Sequence, residues 1–459
     1  MDSQKASATP MTQRMCEWLS AGRADEHLVA WSESREWCQR DFRHDVLSLL
    51  THISATSHSR WALCLEDNYS FAVALLAVLY SGHTPVLPGH FRPAVLAGQR
   101  DEFDALITDL PLQIDCPILR FPFSADQPLT ALPEWPENAV LILFTSGSTG
   151  KSQKIIKPVS CLELESQWLC THWGEQCADA RFVATVAPHH MYGLSFAFML
   201  PLTLGRPFAA KRVEYHEQLH SLARENALVL TSSPAFLKRL DMALEPANLR
   251  HVFSAGGPLS HDTALRVENI CGCRPTEIYG TTESGIVAFR TQHQPEAAWT
   301  LFDNLEFSPL ADGNIALISP LIPQPDGMIL SDKIQLLNAD QRQFLLLGRK
   351  DRIVKIAEQR ISLTEIEQRL CAMDLLSDAS VLTLEKQGRL YVAAVLVLSQ
   401  VGEQLFQVQG QAVLLGQIRG ILRDWLSPVS MPRYWRFAPA IPLNQQGKRA
   451  TAELQEMFL

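Results

Sequence analysis

The sharpest local signal in the sequence is Phe144-Thr-Ser-Gly-Ser-Thr-Gly-Lys-Ser, which leaves an apolar run and packs hydroxyls and two glycines into a few positions. Glycine lets backbone N–H groups approach a polyphosphate, and Ser and Thr add neutral donors, so this composition suits an anion-binding turn. A Walker A loop fails on spacing. Gly150, Lys151 and Ser152 could supply its last three residues, but the leading glycine it requires falls on Thr145. A hydrolase nucleophile elbow fails too, because Ser148 has Ser146 rather than glycine two residues before it. Taken alone, the loop is equally compatible with a Ser/Thr/Gly turn of no function.

The elements around it form a rhythm. From Trp61 to Asp115 short apolar runs alternate with helix-like segments, as in βαβ units. The pattern recurs at VLILFTSG from Val140, RFVATVAP from Arg181, ALVLTSSP from Ala227, LRHVFSAGG from Leu249 and PTEIYGTTES from Pro275. Each run ends in Ser, Thr, Gly or Pro. In open α/β sheets ligands gather where strands end, so these five endings are where chemistry is expected. From Trp299 to Leu347 the text changes to short strands with turn signals, a smaller β region. After Gly348 come helix-compatible TEIEQRLCAM, strands VLTLEK and LYVAAVLVL, amphipathic QAVLLGQIRGILRDWL and a final TAELQEMF. The expected architecture is α/β, with a large N-terminal lobe over residues 1–347 and a smaller α+β domain over residues 348–459.

Composition narrows the function classes. A chain of 459 residues with 47% hydrophobic and 19% charged residues should fold into two or three units rather than remain disordered. A formal charge of −9 without a long basic run argues against nucleic-acid binding. The ten cysteines form no CxxC pair, which is poor zinc spacing. The opening MDSQKASATPMTQRM lacks the apolar core of a secretory signal, so reduced thiols and a cytoplasmic location are expected. FAVALLAVLYSG from Phe71 is about half the length needed to span a bilayer and reads as a buried helix, so no membrane span is expected.

FTSGSTGKSQK resembles the phosphate-binding signature of the adenylate-forming superfamily: acyl- and aryl-CoA synthetases, peptide-synthetase adenylation domains and luciferases. Further segments follow in that superfamily's order: PHHMYGL from Pro188, SAGGPLS from Ser254, YGTTES from Tyr279, SDKIQL from Ser331, GRKDRIVKIAEQRISLTEIE from Gly348 and NQQGKRAT from Asn444. They span about two thirds of the chain. PHHMYGL is also similar to the short bacterial synthetases that load carrier proteins in aryl-polyene or fatty-acid-type pathways.

The resemblance implies ATP-dependent activation of a carboxylic acid to an acyl adenylate, followed by transfer to the phosphopantetheine thiol of CoA or of an acyl carrier protein. It assigns Thr145, Ser146, Gly147, Ser148, Thr149 and Gly150 to the β- and γ-phosphates. Thr282 and Glu283 fall at the α-phosphate, with Glu283 on Mg²⁺. Gly256, Gly257 and Pro258 lie against adenine, Tyr279 and Gly280 belong to the nucleotide site, and Asp332 with Arg349 grips the ribose. Lys448 becomes the catalytic cation and Asp351 the hinge of a mobile domain. His190, Tyr192, Ser232 and Gly280 would border the acid, beside the segment from Ser232 to Phe236.

The chain departs from the pattern in two places. The phosphate loop has Ser152 and Gln153 where proline and lysine are usual, leaving Lys151 or Lys154 as substitutes. A Gly-Gly pair that usually lines the pantetheine tunnel is replaced by Ala357-Glu358, which could hinder free CoA or reshape the tunnel for a carrier protein's arm. A carrier would favour basic residues, and Lys355, Arg360, Arg369 and Arg433 are candidates. The competing reading is a non-catalytic nucleotide sensor that keeps the fold.

Overall fold

A computed structural model describes residues 13–20, 22–123, 128–146, 152–241, 243, 247–310, 313–349, 352–356, 359–386, 389–423, 426, 428–444 and 449–459. The chain is α/β, as the sequence predicts, and divides into two compact units. The first runs up to Glu306 and includes Ile318–Met328; the second comprises Phe307–Leu317 and Ile329–Leu459.

The first unit contains two sheets. One has the order Ile118–Arg120, Ala105–Thr108, Arg60–Cys64, Thr84–Leu87, Val140–Ser146, Ser152–Pro158, parallel except for its last, antiparallel pair. The predicted buried helix is Asn68–Tyr80, the crossover between the parallel strands Arg60–Cys64 and Thr84–Leu87. Asp67 caps it by accepting the Ser70 N–H at 2.8 Å. Its residues are buried on every side, which explains an unbroken apolar run where a surface helix would show a stripe.

The other sheet of this unit sets His251–Ser254 between Thr276–Thr281 and Leu228–Ser232, with Arg181–Ala184 beyond. These four strands are parallel, so their C-terminal ends open on one edge. Thr276–Thr281 also turns back antiparallel into Gly285–Thr291. Four of the five motif-bearing endings are therefore on this sheet, and the fifth, after Val140–Ser146, is on the other.

The second unit is built on the hairpin Leu376–Lys386 with Arg389–Leu398, to which Tyr434–Phe437 adds in parallel. Helices Leu363–Cys371 and Gln400–Arg423 pack on it, the latter broken at Gly410, whose φ is +78°. Leu414, Ile418 and Leu422 recur every four residues and are fully buried, the stripe expected of the amphipathic segment. Glu367 is almost buried. It accepts two 2.7 Å bonds from the Arg352 guanidinium and one from the Val381 N–H, and lies 3.0 Å from Arg449.

The division between units falls N-terminal of the expected boundary at 347/348. The hairpin Asp332–Leu336 with Gln343–Arg349 clusters with the C-terminal residues. Within this hairpin Gly348 has a φ of +100°, and a Cβ there would lie 2.7 Å from Thr364 of the first helix of the second unit.

Candidate active site

The turn between Thr276–Thr281 and Gly285–Thr291 holds Thr282 and Glu283, and its shape follows from the residues on either side. Thr281 and Ser284 bond reciprocally: the Thr281 N–H donates to Ser284 Oγ at 3.2 Å and the Ser284 N–H to Thr281 Oγ1 at 3.1 Å. The Ser284 hydroxyl donates onward to the Gly285 carbonyl at 2.9 Å. Two glycines permit the closure. A Cβ on Gly280 would lie 2.4 Å from the Gly285 carbonyl oxygen, and Gly285 has φ +72° with no room for a Cβ against Glu165. Ser284 is buried, whereas Thr282 and Glu283 remain half-exposed.

Beneath this turn lies a charge that the sequence reading missed. Lys157, only 2% exposed, is the penultimate residue of the strand Ser152–Pro158. Its ammonium donates to the carbonyls of Glu283 at 3.1 Å, Thr282 at 3.3 Å and Leu321 at 3.5 Å. Glu165, on helix Val159–Trp173, is 1% exposed. It accepts the Ser195 hydroxyl and the Ile286 N–H, the latter at 3.0 Å. Burial pushes the Lys157 ammonium below the usual lysine range, opposed by the attraction of Glu165. Burial likewise pushes the Glu165 carboxyl up, opposed by its hydrogen bonds and by Lys157.

The segment after His251–Ser254 is fixed the same way. Gly256 has φ +91°, so the chain turns where only glycine is unstrained. Just past Pro258, the Leu259 N–H donates to Glu277 Oε2 at 3.3 Å, and Gln292 Nε2 donates to the Leu259 carbonyl at 2.8 Å. Glu277 is buried and held by Arg290 at 2.9 and 3.0 Å. Arg290 in turn lies 4.5 Å over the Trp299 ring, which is 5.9 Å from Tyr279. Glu277 and Gln292 were also unread in the sequence, although their place two residues before Tyr279 and on the returning strand was a signal.

At the neighbouring strand ends, Ser232 is buried, with its hydroxyl 2.9 Å from Thr185 Oγ1. His190 precedes the short helix Met191–Gly193, half-buried with its ring 4.2 Å from His189. His189 is the deeper of the two, 4.4 Å from Phe91, and burial holds its imidazole far below the usual range. The Tyr192 hydroxyl is buried, which raises its phenol well above the ordinary value, and its ring lies 5.1 Å from Phe196.

Thr145 and Ser146 end the strand Val140–Ser146, in register with Gln153 and Ser152. Gly147, Ser148, Thr149, Gly150 and Lys151 lie outside the described residues. Of the two candidate loop lysines, Lys154 is engaged by Glu102 at 2.6 Å. In the second unit Asp332 and Arg349 are directly opposed across their hairpin. Asp351, Ala357, Glu358 and Lys448 lie outside the described residues; Lys448 precedes Arg449, which bridges antiparallel to Leu443. Among the described residues no helix is long and apolar enough to cross a membrane, and no cluster of three or more His, Cys, Asp or Glu could hold a metal.

The family described as AMP-binding enzyme matches residues 44–305. A 4-coumarate–CoA ligase of Halorhodospira halophila is 25% identical over 324 residues, covering 67% of this chain and 74% of its own. The ATP-bound crystal structure of MatB from Rhodopseudomonas palustris superimposes with a TM-score of 0.81 at 19% identity, covering 98% of this chain and 99% of that one. The anthranilate CoA ligase AuaEII in complex with anthranoyl-AMP gives 0.77 at 16% identity, with 99% of each chain covered.

Proposed function

The chain belongs to the AMP-binding enzyme family, and on that premise we propose that it is an AMP-forming acid–thiol ligase. In the first step a carboxylate oxygen attacks the α-phosphorus of ATP, and the bond from that phosphorus to the bridging oxygen breaks, so pyrophosphate leaves with its electron pair. In the second step a thiolate attacks the acyl carbon of the adenylate and AMP departs. Two anions meet in the first step, so the protein's contribution is positioning and donated positive charge.

The observation that carries this reading is the turn at Thr282 and Glu283: hydrogen-bonded underneath and half-exposed above, it opens beside the strand ends after Ser254 and Ser232. In the proposal Thr282 donates to the α-phosphate, and the backbone from Gly256 to Pro258 lies along adenine. Thr145 to Gly150 contact the outer phosphates with N–H and hydroxyl donors, and Asp332 accepts from the ribose hydroxyls beside Arg349. Mg²⁺ is usually held by one or two carboxylates plus substrate phosphates rather than by an all-protein cage, and a single half-exposed Glu283 fits that donor set. Such an ion would neutralise charge on the leaving pyrophosphate. His190, Tyr192, Ser232 and Gly280 border the acid, and Lys448 supplies the mobile cation.

The relatives named as CoA ligases make CoA the first thiol to test, with a phosphopantetheinylated carrier protein second. Of the basic residues that would face a carrier, Arg433 is stacked 4.8 Å over Tyr391 and Arg369 lies 4.0 Å from Glu365. The experiment is a pyrophosphate-release and hydroxylamine-trapping screen of aromatic hydroxy acids and of medium- and long-chain fatty acids, each with and without CoA or carrier. Turnover with one acid class, completed by one thiol, is expected. Silence with every acid overturns the ligase reading in favour of a nucleotide sensor.

A second expectation concerns the proposed hinge. Proline fixes its own φ and restricts the residue before it, so Asp351→Pro should leave ATP–pyrophosphate exchange near wild type and stall thioester formation. Equal loss of both half-reactions would remove Asp351 from that role.

A further inference from the structure

We propose that Lys157, backed by Glu165, is a positioning residue that locks the α-phosphate turn to the arm carrying the phosphate loop. The inference rests on the ligase reading above, which gives Thr282 and Glu283 their roles.

Three observations combine. Lys157 stands on Ser152–Pro158, the strand that pairs directly with Val140–Ser146 and lies across the loop from it. Its three ammonium protons meet three backbone carbonyls, two of them the carbonyls of Thr282 and Glu283 themselves. An ammonium has three N–H donors and no acceptor, so this is a complete shell, with no donor left over for substrate. The side chain therefore spans two sheets: its backbone belongs to one, and its head holds the turn that leaves the other.

Glu165 completes the arrangement from below. One carboxylate oxygen takes the Ser195 hydroxyl and the other takes the Ile286 N–H, one residue past Gly285. Gly285 lacks a Cβ where Glu165 Oε2 approaches, since a Cβ would stand 2.5 Å from that oxygen. The lysine thus holds the first half of the turn by its carbonyls and the glutamate holds the second half by an amide. Lys157 and Glu165 attract each other while each is hydrogen-bonded to other groups, and burying two such ionisable side chains carries a desolvation cost that apolar side chains would avoid. With both carbonyls turned inward, Thr282 and Glu283 keep their half-exposed placement.

A purely structural lysine and a positioning lysine predict different kinetics. If Lys157 holds the turn and the phosphate loop in one frame, its loss should raise KM for Mg·ATP and lower kcat for adenylation while leaving KM for the acid unchanged. If it only helps the fold, the fraction of active enzyme falls and both KM values stay at wild type. Lys157→Met removes the charge at similar length. Because that variant leaves Glu165 buried and uncompensated, the double variant Lys157→Met/Glu165→Gln is measured beside it, removing both charges while keeping an amide donor and acceptor at position 165.

The assay is ATP–pyrophosphate exchange with the acid found by the screen, titrated separately in ATP, Mg²⁺ and acid, with circular dichroism to establish folding. In the folded variant kcat/KM for ATP should drop by about 10- to 100-fold, the factor equivalent to losing hydrogen bonds to a charged group. Half-saturation for Mg²⁺ should rise with it. Unchanged ATP and Mg²⁺ half-saturation in a folded variant overturns the positioning role. A wild-type protein silent with every acid would instead overturn the ligase reading.

Discussion

Lys448→Ala is expected to abolish acyl-adenylate formation while leaving thioester formation from pre-made acyl adenylate largely intact. The first half-reaction brings a carboxylate to a polyphosphate, and charge shifts toward the leaving group as the bond to the α-phosphorus changes hands. An ammonium that reaches both anions stabilises the transition state more than either ground state. Removing one preorganised donor of that kind typically costs about 10²- to 10³-fold in kcat. Lysine is suited to the task, since its charge is compact and carried on a flexible stem. The second half-reaction starts from an adenylate whose pyrophosphate has already gone, so the charge that this cation is assigned to offset has left the site. Wild-type exchange activity in Lys448→Ala would end this assignment, and equal loss of both steps would reduce it to a folding effect.

The second large effect is expected from Gly280→Ala. An added methyl would stand 2.4 Å from the Gly285 carbonyl oxygen and 3.0 Å from the Ile286 Cα, both backbone atoms with no rotamer to yield. The two strands must part there. Thr281 and Ser284 then lose their reciprocal bonds, and Thr282 and Glu283 move with them. A displacement of about 1 Å at a reacting group can cost about 10²-fold, so exchange activity should fall by about that factor. Gly98→Ala, where nothing lies within 4 Å of the new methyl, serves as the control and should leave activity unchanged. Near-wild-type exchange in Gly280→Ala would show that the turn tolerates widening and that its closure is not what aims Thr282.

The parts of the fold that the sequence revealed are those with strong periodicity or strong punctuation. The all-round apolar run of Asn68–Tyr80, the four-residue recurrence in the last long helix and the five strand endings rich in Ser, Thr and Gly all follow from local patterns that burial then uses. What escaped was held in long-range pairing. In Ser152–Pro158, Ile156 is 55% exposed while Lys157 is buried, the reverse of what hydropathy suggests. The inversion arises because this is an edge strand whose Lys157 side faces the distant turn at Thr282, and nothing in the local text QKIIKPV announces that neighbour. Glu277 is similar: beside an isoleucine in a strand it reads as a surface charge, and only the returning strand's Arg290 and Gln292 explain its burial. The hairpin containing Asp332 continues the preceding β region in its sequence and is grouped with the C-terminal residues in the structure.

One carboxylate in the second unit has a mechanical meaning. Glu367 grips Arg352 and Arg449, which immediately follow the proposed pivot Asp351 and the proposed catalytic cation Lys448. Positions 351 and 448 are far apart along the chain, yet the residue that follows each is bound to this one carboxylate, so neutralising Glu367 would release both neighbouring segments together.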